Sequence, residues 1–336
     1  MNILVWNVRG AAKRELGGAL KSMVSKNHVE ILILLEPRTH SGVCKKLERK
    51  LGFDSYLMEE AVGFSGGIWI LWNRRKVDVV LLAQAFPFIH CKVSFPNVHS
   101  FIFTAIYANP LQSTHELLWN DLKSISESIS DPWILGGDFN EIAFIHEKKG
   151  GVAPDPNKCA KFASILNDCQ VADLGCDGSF YTWQGPKWGS MGRIFKRLDR
   201  VVANMSWRTK FDEARVVSLP RLLSDHNPLL IKLFMEVNDK GKRPFRFFAA
   251  WQEHHNFSDF LKSKWEQDFD PPYMLQRLVS EIRIWNRRVF GIIKTRKNSI
   301  IRKIASIQKR REQFDTDHLK YEEEKFQKML TNVLRE

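Results

Sequence analysis

Short runs of consecutive apolar residues recur along the first two thirds of the chain, and they are rich in β-branched and aromatic side chains. Runs of this length are typical of buried β-strands. The pattern predicts strands over residues 3–6, 29–35, 67–72, 77–82, 90–95, 101–107, 133–135, 216–219 and 229–234.

Between some of these runs, apolar residues recur at the spacing of an amphipathic helix. Residues 12–26, 113–129 and 156–169 show this spacing, and the second segment opens with Ser and Thr, which favour helix N-caps. Strands predominate, with helices between some of them. We therefore expect sheets covered by outer helices in one large α/β domain.

The pattern changes after about residue 236, where the strand-like runs stop. Residues 237–242 are polar and typical of a linker, and beyond Pro272 the apolar residues return at helical spacing. We predict a first domain over 1–236 and a basic, mainly helical tail over 237–336. We interpret the basic face of that tail as the solvated side of a structural helix, with a nucleic-acid-binding helix as the alternative.

The charge balance indicates a polyanionic partner. The net charge is +13, with 29 Lys and Arg against 24 Asp and Glu in residues 1–236, and 22 against 14 in residues 237–336. The tail is therefore the more basic part. Nucleic acid is the expected partner, with an anionic membrane surface as the less favoured alternative.

The cysteines and the N-terminus bear on the cellular compartment. The five cysteines are odd in number and form no C-x-x-C pair, which argues against a disulfide framework and a zinc finger. The chain opens without the features of a signal peptide and contains no apolar run of membrane-spanning length. We expect a soluble intracellular protein, in the nucleus, that does not bind a membrane.

Polar residues with catalytic potential stand at the ends of two predicted strands. Asp138 and Asn140 follow the run 133–135 in the sequence Gly-Gly-Asp-Phe-Asn, and Asp225 and His226 precede the run 229–234 in Ser-Asp-His-Asn. Loops at strand ends are where α/β proteins carry their chemistry. An Asp followed directly by His suits a carboxylate that holds a divalent cation beside an imidazole that faces a phosphate.

Two further side chains extend this set into a metal site. Asn7 follows the first predicted strand and Glu36 follows the second. With Asp225 they supply the oxygen ligands that Mg²⁺ prefers, and no Cys/His cluster competes for a softer metal. We predict Asn7, Glu36 and Asp225 as metal ligands, with Mg²⁺ as the cofactor and Mn²⁺ as its alternative.

Phosphodiester hydrolysis also needs a base and a group that stabilises charge on phosphorus. We predict Asp138 as the base that deprotonates water, with Asn140 fixing its geometry. A protonated His226 would stabilise the transition state, with Asp199 orienting the imidazole and raising its basicity. Tyr107, at the end of the run 101–107, would hydrogen-bond a phosphate oxygen.

Each residue alone has an ordinary structural alternative. Asp138 could cap a helix, Glu36 could be a solvated strand end, and Asn7 could form an Asx turn. Tyr107 could pack in the core, Asp199 could form an ion pair with an arginine next to it, and His226 could be structural. The placement of the whole set at strand ends and in polar turns favours one shared site.

These motifs, taken in order, resemble the endonuclease/exonuclease/phosphatase superfamily over about residues 1–236. The resemblance is carried by Trp6-Asn7, Glu36, Ser65-Gly66-Gly67, Tyr107, Gly137-Asp138-Phe139-Asn140, Arg197-Leu198-Asp199 and Ser224-Asp225-His226. It implies a four-layer α/β sandwich of two packed β-sheets flanked by helices, followed here by the mainly helical C-terminal tail. It also implies the roles assigned above.

More narrowly, the chain is similar to the endonuclease region of plant LINE-type (non-LTR) retrotransposons. The signs are Trp6-Asn7-Val8-Arg9-Gly10, Glu147-Lys148-Lys149-Gly150-Gly151, Tyr181-Thr182-Trp183, Arg197-Leu198-Asp199-Arg200 and Trp207. Repair-type members of the superfamily often carry an acidic residue where Arg9 stands. This departure speaks against abasic-site repair.

The resemblance implies an Mg²⁺-dependent endonuclease that nicks DNA and leaves a 3′ hydroxyl for priming. The alternatives are a phosphatase or lipid phosphodiesterase of the same fold, and a non-catalytic retroelement remnant that binds DNA or protein. DNA is the expected partner, and a reverse transcriptase would be supplied by another chain. The oligomeric state is left open.

Overall fold

The computed structural model describes residues 1–13, 15–60, 66–96, 98–111, 114–187, 192–234, 255–265 and 271–335. Ser65 of the predicted Ser-Gly-Gly motif lies outside these residues. So do the predicted linker 237–242 and the predicted domain boundary at 236, which stays a prediction.

The first sheet has seven strands, with β1 (Asn2–Asn7) at its centre and β2 (Val29–Leu35) beside it. β1 and β2 pair in parallel, with Asn7 opposite Leu35 at their ends. The strand order is β11-β15-β16-β1-β2-β4-β3. The ranges are β1 Asn2–Asn7, β2 Val29–Leu35, β3 Ser55–Glu59, β4 Ile68–Trp72, β11 Asp177–Gly178, β15 Arg215–Ser218 and β16 Leu229–Lys232.

The second sheet has six strands, in the order β10-β14-β8-β7-β6-β5. β7 and β8 are parallel, whereas β14 runs antiparallel to β8. A third, small antiparallel sheet contains β12, β13 and β9. The ranges are β5 Asp78–Ala85, β6 Phe88–Phe95, β7 Val98–Tyr107, β8 Trp133–Asp138, β9 Lys148–Lys149, β10 Ala172–Asp173, β12 Trp183–Lys187, β13 Arg193–Lys196 and β14 Asp199–Ala203.

The two large sheets pack face to face because alternate residues of their strands point into one shared core. Val5 and Ile33 of the first sheet meet Phe103 and Ile134 of the second in that core. The outer face of the second sheet is covered by α3 (His115–Ser128) and α4 (Pro156–Asp168).

On the first sheet, α1 (Leu16–Lys26) packs against β2 and against α2 (Ser41–Leu51). A short helix α5 (Met205–Lys210) follows β14 and packs against β8. The result is the predicted arrangement of two packed sheets flanked by helices, with a helical C-terminal region.

The C-terminal part is helical, as its apolar spacing predicted, and consists of α6 (Phe257–Lys264), α7 (Pro271–Gln313) and α8 (Asp317–Arg335). By its contacts, the chain forms two compact units. One contains Met1–Met235 together with Lys303–Glu336, and the other contains Glu236–Arg302. Residues 303–335 of the predicted tail therefore pack with the first 235 residues.

The unit Glu236–Arg302 has a small apolar cluster of its own around Phe257, Ile282 and Trp285. Within the described residues, no helix is both long and apolar enough to cross a membrane.

Candidate active site

The strand-end residues predicted from the sequence lie together at one edge of the two sheets. We call them the strand-end site: Asn7, Glu36, Tyr107, Asp138, Asn140, Asp199, Asp225 and His226. Sheet register brings several of them together, because Asp138 pairs with Tyr107 on one side and with Asp199 on the other. The hydrogen bond from Asn7 Nδ2 to Asp138 Oδ2, 2.9 Å long, joins the two sheets at this edge.

Backbone strain is concentrated around this site. Of the seven described non-glycine residues with positive φ, five belong to the site or lie in its loops. These five are Arg9, Glu36, Arg38, Asn140 and Leu223. Non-glycine residues favour negative φ, so a left-handed backbone conformation persists only where the surrounding contacts fix it. Such positions cluster at functional sites.

The glycine before Asp138 is required by a close backbone approach. A Cβ atom on Gly137 would lie 1.9 Å from the carbonyl oxygen of Ile106 on the neighbouring strand. Any other residue would therefore separate β7 from β8 at the point where both strands deliver a side chain to the site.

His226 is held by two carboxylates. Its Nδ1 lies 2.9 Å from Asp199 Oδ2 and 3.8 Å from Asp138 Oδ2, and all three side chains are buried. Burial is the largest single influence on the pKa of His226, and it lowers that pKa because it disfavours the charged imidazole. The Asp199 and Asp138 carboxylates outweigh burial and raise the pKa of His226 from 6.5 to about 9. The imidazole is therefore protonated at neutral pH.

Asp138 differs from His226, because burial of its carboxylate is the influence that determines the direction of its pKa shift. Burial raises the pKa of Asp138 from 3.8 to about 7, while the charge on His226 opposes the rise and Asp199 adds to it. Asn140 fixes one carboxylate oxygen by donating its backbone N–H to Asp138 Oδ1 at 3.0 Å. A carboxylate that titrates near neutral pH is suited to accept a proton from water.

Glu36 is joined to the site by hydrogen bonds from Tyr107 and Asn7. The Tyr107 hydroxyl donates to Glu36 Oε1 at 2.6 Å, and Asn7 Nδ2 reaches the same oxygen at 3.3 Å. Burial and the Glu36 carboxylate raise the pKa of Tyr107 above its usual range, so the hydroxyl stays a donor. Asn7 Oδ1 accepts the backbone N–H of Arg9 at 3.1 Å, and thus Asn7 presents its N–H groups, not its oxygen, to the carboxylates.

Asp225 is held by Trp183 of β12 and by Arg9 of the loop after β1. Trp183 Nε1 donates to Asp225 Oδ2 at 2.9 Å, and the guanidinium of Arg9 forms an ion pair with the same oxygen. Arg9 Nε also lies 3.9 Å from Glu36 Oε2, so this arginine spans two of the predicted metal ligands. The Ser224 hydroxyl, which donates to the Asn7 carbonyl at 2.7 Å, fastens the loop that carries Asp225 to the end of β1.

The side chains present at the site fit a hard divalent cation. Glu36 Oε2 and Asp225 Oδ1 are buried oxygens without a hydrogen-bond partner among the described residues, although Arg38 and Arg9 lie near Glu36 as ion-pair partners. Buried carboxylate oxygens of this kind are typical ligands of Mg²⁺ or Mn²⁺.

A second group of possible ligands lies next to this pair of carboxylates. Ligand atoms of Asp138, Asp199 and His226 lie within 4.8 Å of one another. His226 Nδ1, however, is occupied by its hydrogen bond to Asp199. We therefore favour Glu36 and Asp225 over this group as the position of a cation.

Asp199 does not form an ion pair with the arginines on either side of it. Both Arg197 and Arg200 bind Glu147 and Asp173, and we call these four residues the ion cluster. The backbone N–H of Asp199 donates to Thr182 Oγ1 at 2.9 Å. The ion cluster and Thr182 therefore hold the start of β14 in place and leave the Asp199 carboxylate free for His226.

Sequence reasoning assigned no site role to Arg9, Thr182 or Trp183. Two signals were available in the sequence: Arg9 stands where repair-type relatives carry an acid, and Thr182 and Trp183 belong to a retroelement-like motif. Their contacts with Asp225 and Asp199 span more than 15 residues of sequence. No local pattern reveals such contacts.

Comparison with known proteins agrees with this geometry. A sequence profile of the endonuclease/exonuclease/phosphatase family matches residues 4–226. The chain belongs to this family. Its members depend on divalent metal ions, and the buried acidic and histidine groups of the strand-end site are consistent with that chemistry. Among curated proteins, none matches the sequence significantly.

Solved structures of family members share the fold at low sequence identity. The endonuclease domain of TRAS1, a telomere-specific non-LTR retrotransposon, is 16% identical with a TM-score of 0.51, and the match covers 70% of this chain and 99% of that domain. The 3′-5′ exonuclease NExo from Neisseria meningitidis is 18% identical with a TM-score of 0.51, covering 69% and 99%. An AP endonuclease from Archaeoglobus fulgidus is 15% identical with a TM-score of 0.51, covering 69% and 98%.

Proposed function

We propose that this protein is a metal-dependent DNA endonuclease of the retroelement type, which nicks one strand and leaves a 3′ hydroxyl. The observation that carries the proposal is the buried group of Asp138, Asp199 and His226 beside two carboxylates, each with a buried oxygen that accepts no hydrogen bond among the described residues. This arrangement would supply a base, a positively charged imidazole and ligands for a metal ion within one site.

Glu36 and Asp225 would hold the metal ion, which we propose is Mg²⁺ with Mn²⁺ as a substitute. When bound, this ion would polarise the phosphate and stabilise charge on the departing oxygen. Asn7 donates to both Glu36 and Asp138, so we assign it the relative positioning of the metal pocket and the base.

Asp138 would accept a proton from the attacking water. The water oxygen forms a bond to phosphorus, the P–O3′ bond breaks, and its electron pair stays on O3′, which takes up a proton to become the 3′ hydroxyl. Asn140 holds one oxygen of Asp138 through its backbone N–H, which leaves the carboxylate in a fixed orientation.

His226 would stabilise the negative charge that develops on the phosphorane. Its Nδ1 is bound to Asp199, so Nε2 is the ring nitrogen that remains to donate to a phosphate oxygen. Tyr107 donates to Glu36 in this structure, and in the substrate complex we expect its hydroxyl to reach a phosphate oxygen.

DNA as substrate is favoured by charge. Lys13 lies at the rim of the site near Arg9 and Arg38. Burial lowers the pKa of Lys13, the Asp225 carboxylate opposes this, and the positive charges of Arg9 and Arg38 lower the pKa further, so the rim of the site is basic. The net charge of +13 adds attraction for a polyanion. On the same grounds we propose that the protein acts in the nucleus.

Incubation with supercoiled plasmid tests this function, with Mg²⁺ or EDTA and with Asp138→Asn as the matched variant. We expect open-circular product that requires both the metal and Asp138, and that a DNA polymerase extends without prior end treatment. Extension without treatment reports a 3′ hydroxyl. Intact plasmid together with hydrolysis of a phosphomonoester or an inositol phospholipid would assign the site to a phosphatase or a lipid phosphodiesterase instead.

A further inference from the structure

A cavity of about 480 Å³ adjoins the strand-end site, and the C-terminal helices form one of its walls. Arg9 and Asp225 contribute to both the cavity and the site. The opposite wall is formed by the end of α7 and by α8, through residues that include Arg311 and Lys320. These helical residues belong to the same compact unit as the sheets.

The lining of the cavity is predominantly basic. Its basic residues are Arg9, Lys13, Arg193, Arg221, Arg311 and Lys320, against the acidic Asp225, Glu323 and Glu324. Within the lining, Arg9 pairs with Asp225, Arg311 with Glu323 and Lys320 with Glu324. Arg193 pairs with Asp315, which is not part of the lining. Among the described residues, Lys13 and Arg221 are thus the lining cations that form no ion pair. The cavity therefore has an excess of positive charge, which is suited to an anionic ligand.

Arg221 is the least expected of these residues, because its guanidinium is buried without a carboxylate partner. Its side chain is 2% exposed and donates to Asn227 Oδ1 and Gln184 Oε1, both at 2.8 Å, and these are neutral amide oxygens. Among the described residues it forms no salt bridge. A buried charge of this kind is costly unless an anion approaches it.

The C-terminal helices are fixed to this cavity by specific polar contacts. Gln308 accepts the backbone N–H of Arg221 at 3.1 Å and donates to the carbonyl of the same residue at 3.2 Å. Arg193, from β13, forms an ion pair with Asp315 at 2.9 Å. The wall that carries Lys320 is therefore a defined part of the cavity.

We propose that this cavity binds a backbone phosphate of the polynucleotide, next to the phosphate that is cleaved. The proposal rests on the proposed function, since Asp225 and Arg9 connect the cavity to the strand-end site. A polynucleotide carries a phosphate at every residue, so a strand placed for cleavage presents neighbouring phosphates to adjacent basic side chains. The C-terminal helices thus contribute to substrate binding through Lys320.

The test compares two opposite charge changes in the cavity with a matched control on the same helix. Lys320→Glu adds negative charge to the cavity, and Glu324→Gln removes it. Lys325→Glu makes the same charge reversal at an exposed position of α8 outside the cavity. Lys320 is half exposed, so its replacement should not impair folding.

Binding is measured by fluorescence anisotropy of a labelled DNA duplex in EDTA, over a series of NaCl concentrations. EDTA prevents hydrolysis, so affinity is read independently of turnover. We expect Lys320→Glu to weaken binding by roughly three- to tenfold and to reduce the slope of log K against log salt by about one. Glu324→Gln should strengthen binding, and Lys325→Glu should leave the slope unchanged.

Equal losses of DNA affinity in Lys320→Glu and Lys325→Glu would overturn the proposal, because they would show that any negative charge on this helix weakens binding. No effect of Lys320→Glu or Glu324→Gln on binding would also overturn it. The plasmid assay on the wild-type protein separates this outcome from failure of the proposed function. Nicking with an unaltered salt slope in both variants would retain the endonuclease and remove the phosphate cavity.

Discussion

Two groups of buried charged residues lie close together in this fold, and their charges are balanced differently. In the ion cluster, Arg197 and Arg200 face Glu147 and Asp173, so two positive groups meet two negative ones. In the strand-end site, the buried carboxylates of Glu36, Asp138 and Asp199 face one buried cation, the imidazole of His226. The two arginines that pair with Glu36, Arg9 and Arg38, are partly exposed.

The pKa values follow this balance. Burial alone would raise the pKa of Glu147 and Asp173, yet their hydrogen bonds to Arg200 and Arg197 lower both below the usual range. The pKa of Asp138 is raised instead, because the charge on His226 offsets the effect of burial only in part. A cluster whose positive and negative charges balance stabilises the fold. A site with more buried carboxylates than buried cations can bind a metal ion and accept a proton.

The largest expected effect is on catalysis, at Asp138. Asp138→Asn keeps the shape of the side chain but cannot accept a proton, so nicking of supercoiled plasmid should fall by at least about 100-fold. Because burial of the carboxylate disfavours the native state at neutral pH, the thermal midpoint should stay the same or rise. A variant that retains most of its nicking activity would remove Asp138 from the mechanism.

The ion cluster should respond in the opposite way. Glu147→Gln removes the more deeply buried of the two carboxylates that Arg197 and Arg200 share, so it should lower the free energy of unfolding by up to about 3–5 kcal/mol. Urea denaturation measures this change. The control is Glu116→Gln, which breaks an exposed ion pair with Lys161 and should leave the midpoint unchanged. Equal stability of the two variants would contradict the structural role of the cluster.

A smaller effect separates the roles of the two carboxylates beside His226. Asp199→Asn removes the closer negative charge and should lower the pKa of the imidazole from about 9 towards 6.5, as read by NMR titration in EDTA. Since the native pKa is raised, the stabilisation from this pair is fully present below about pH 6.5 and is lost as the pH rises through about 9. An unchanged His226 titration in Asp199→Asn would show that Asp199 does not set its charge.

The smallest effect is expected at Gln308, whose contacts with Arg221 are to neutral backbone atoms. Gln308→Ala leaves the backbone N–H and carbonyl of buried Arg221 without their partner and should cost about 1–3 kcal/mol in urea denaturation. Gln313→Ala, near the end of the same helix, is the matched control, because Lys149 contacts only the backbone oxygen of Gln313. A cost for Gln313→Ala as large as that for Gln308→Ala would show that the contacts to Arg221 do not fix the helix.

The sequence predicted the elements that are apolar along their whole length. The predicted run 29–35 coincides with β2, and the predicted run 67–72 differs by one residue from β4, which spans Ile68–Trp72. It missed β14, because the charges of Asp199 and Arg200 hide a buried strand, and it missed α2, in which only Cys44 and Leu47 are buried. Charged residues that are compensated by distant partners break the local pattern on which such predictions depend.

The same limit applies to the site. Glu36, Asp138, Asp225 and His226 were predicted because each stands at or near the end of an apolar run, and Asp199 because it lies in a polar turn. Arg9, Trp183 and Gln308 act through contacts with Asp225 and Arg221 that only the folded chain creates. The interpretation of the basic tail as a solvated face gave no role to Lys320 and Arg311, which line the cavity beside the site.

The claim that an excess of buried carboxylates marks a metal site is tested most directly by calorimetric titration with Mn²⁺. The wild-type protein should bind one ion, and Glu36→Gln should weaken that binding by at least about tenfold, because it removes a charged oxygen ligand. Glu116→Gln, which removes an exposed carboxylate, should bind as the wild type does. No binding by the wild-type protein, or equal binding by Glu36→Gln, would contradict the account.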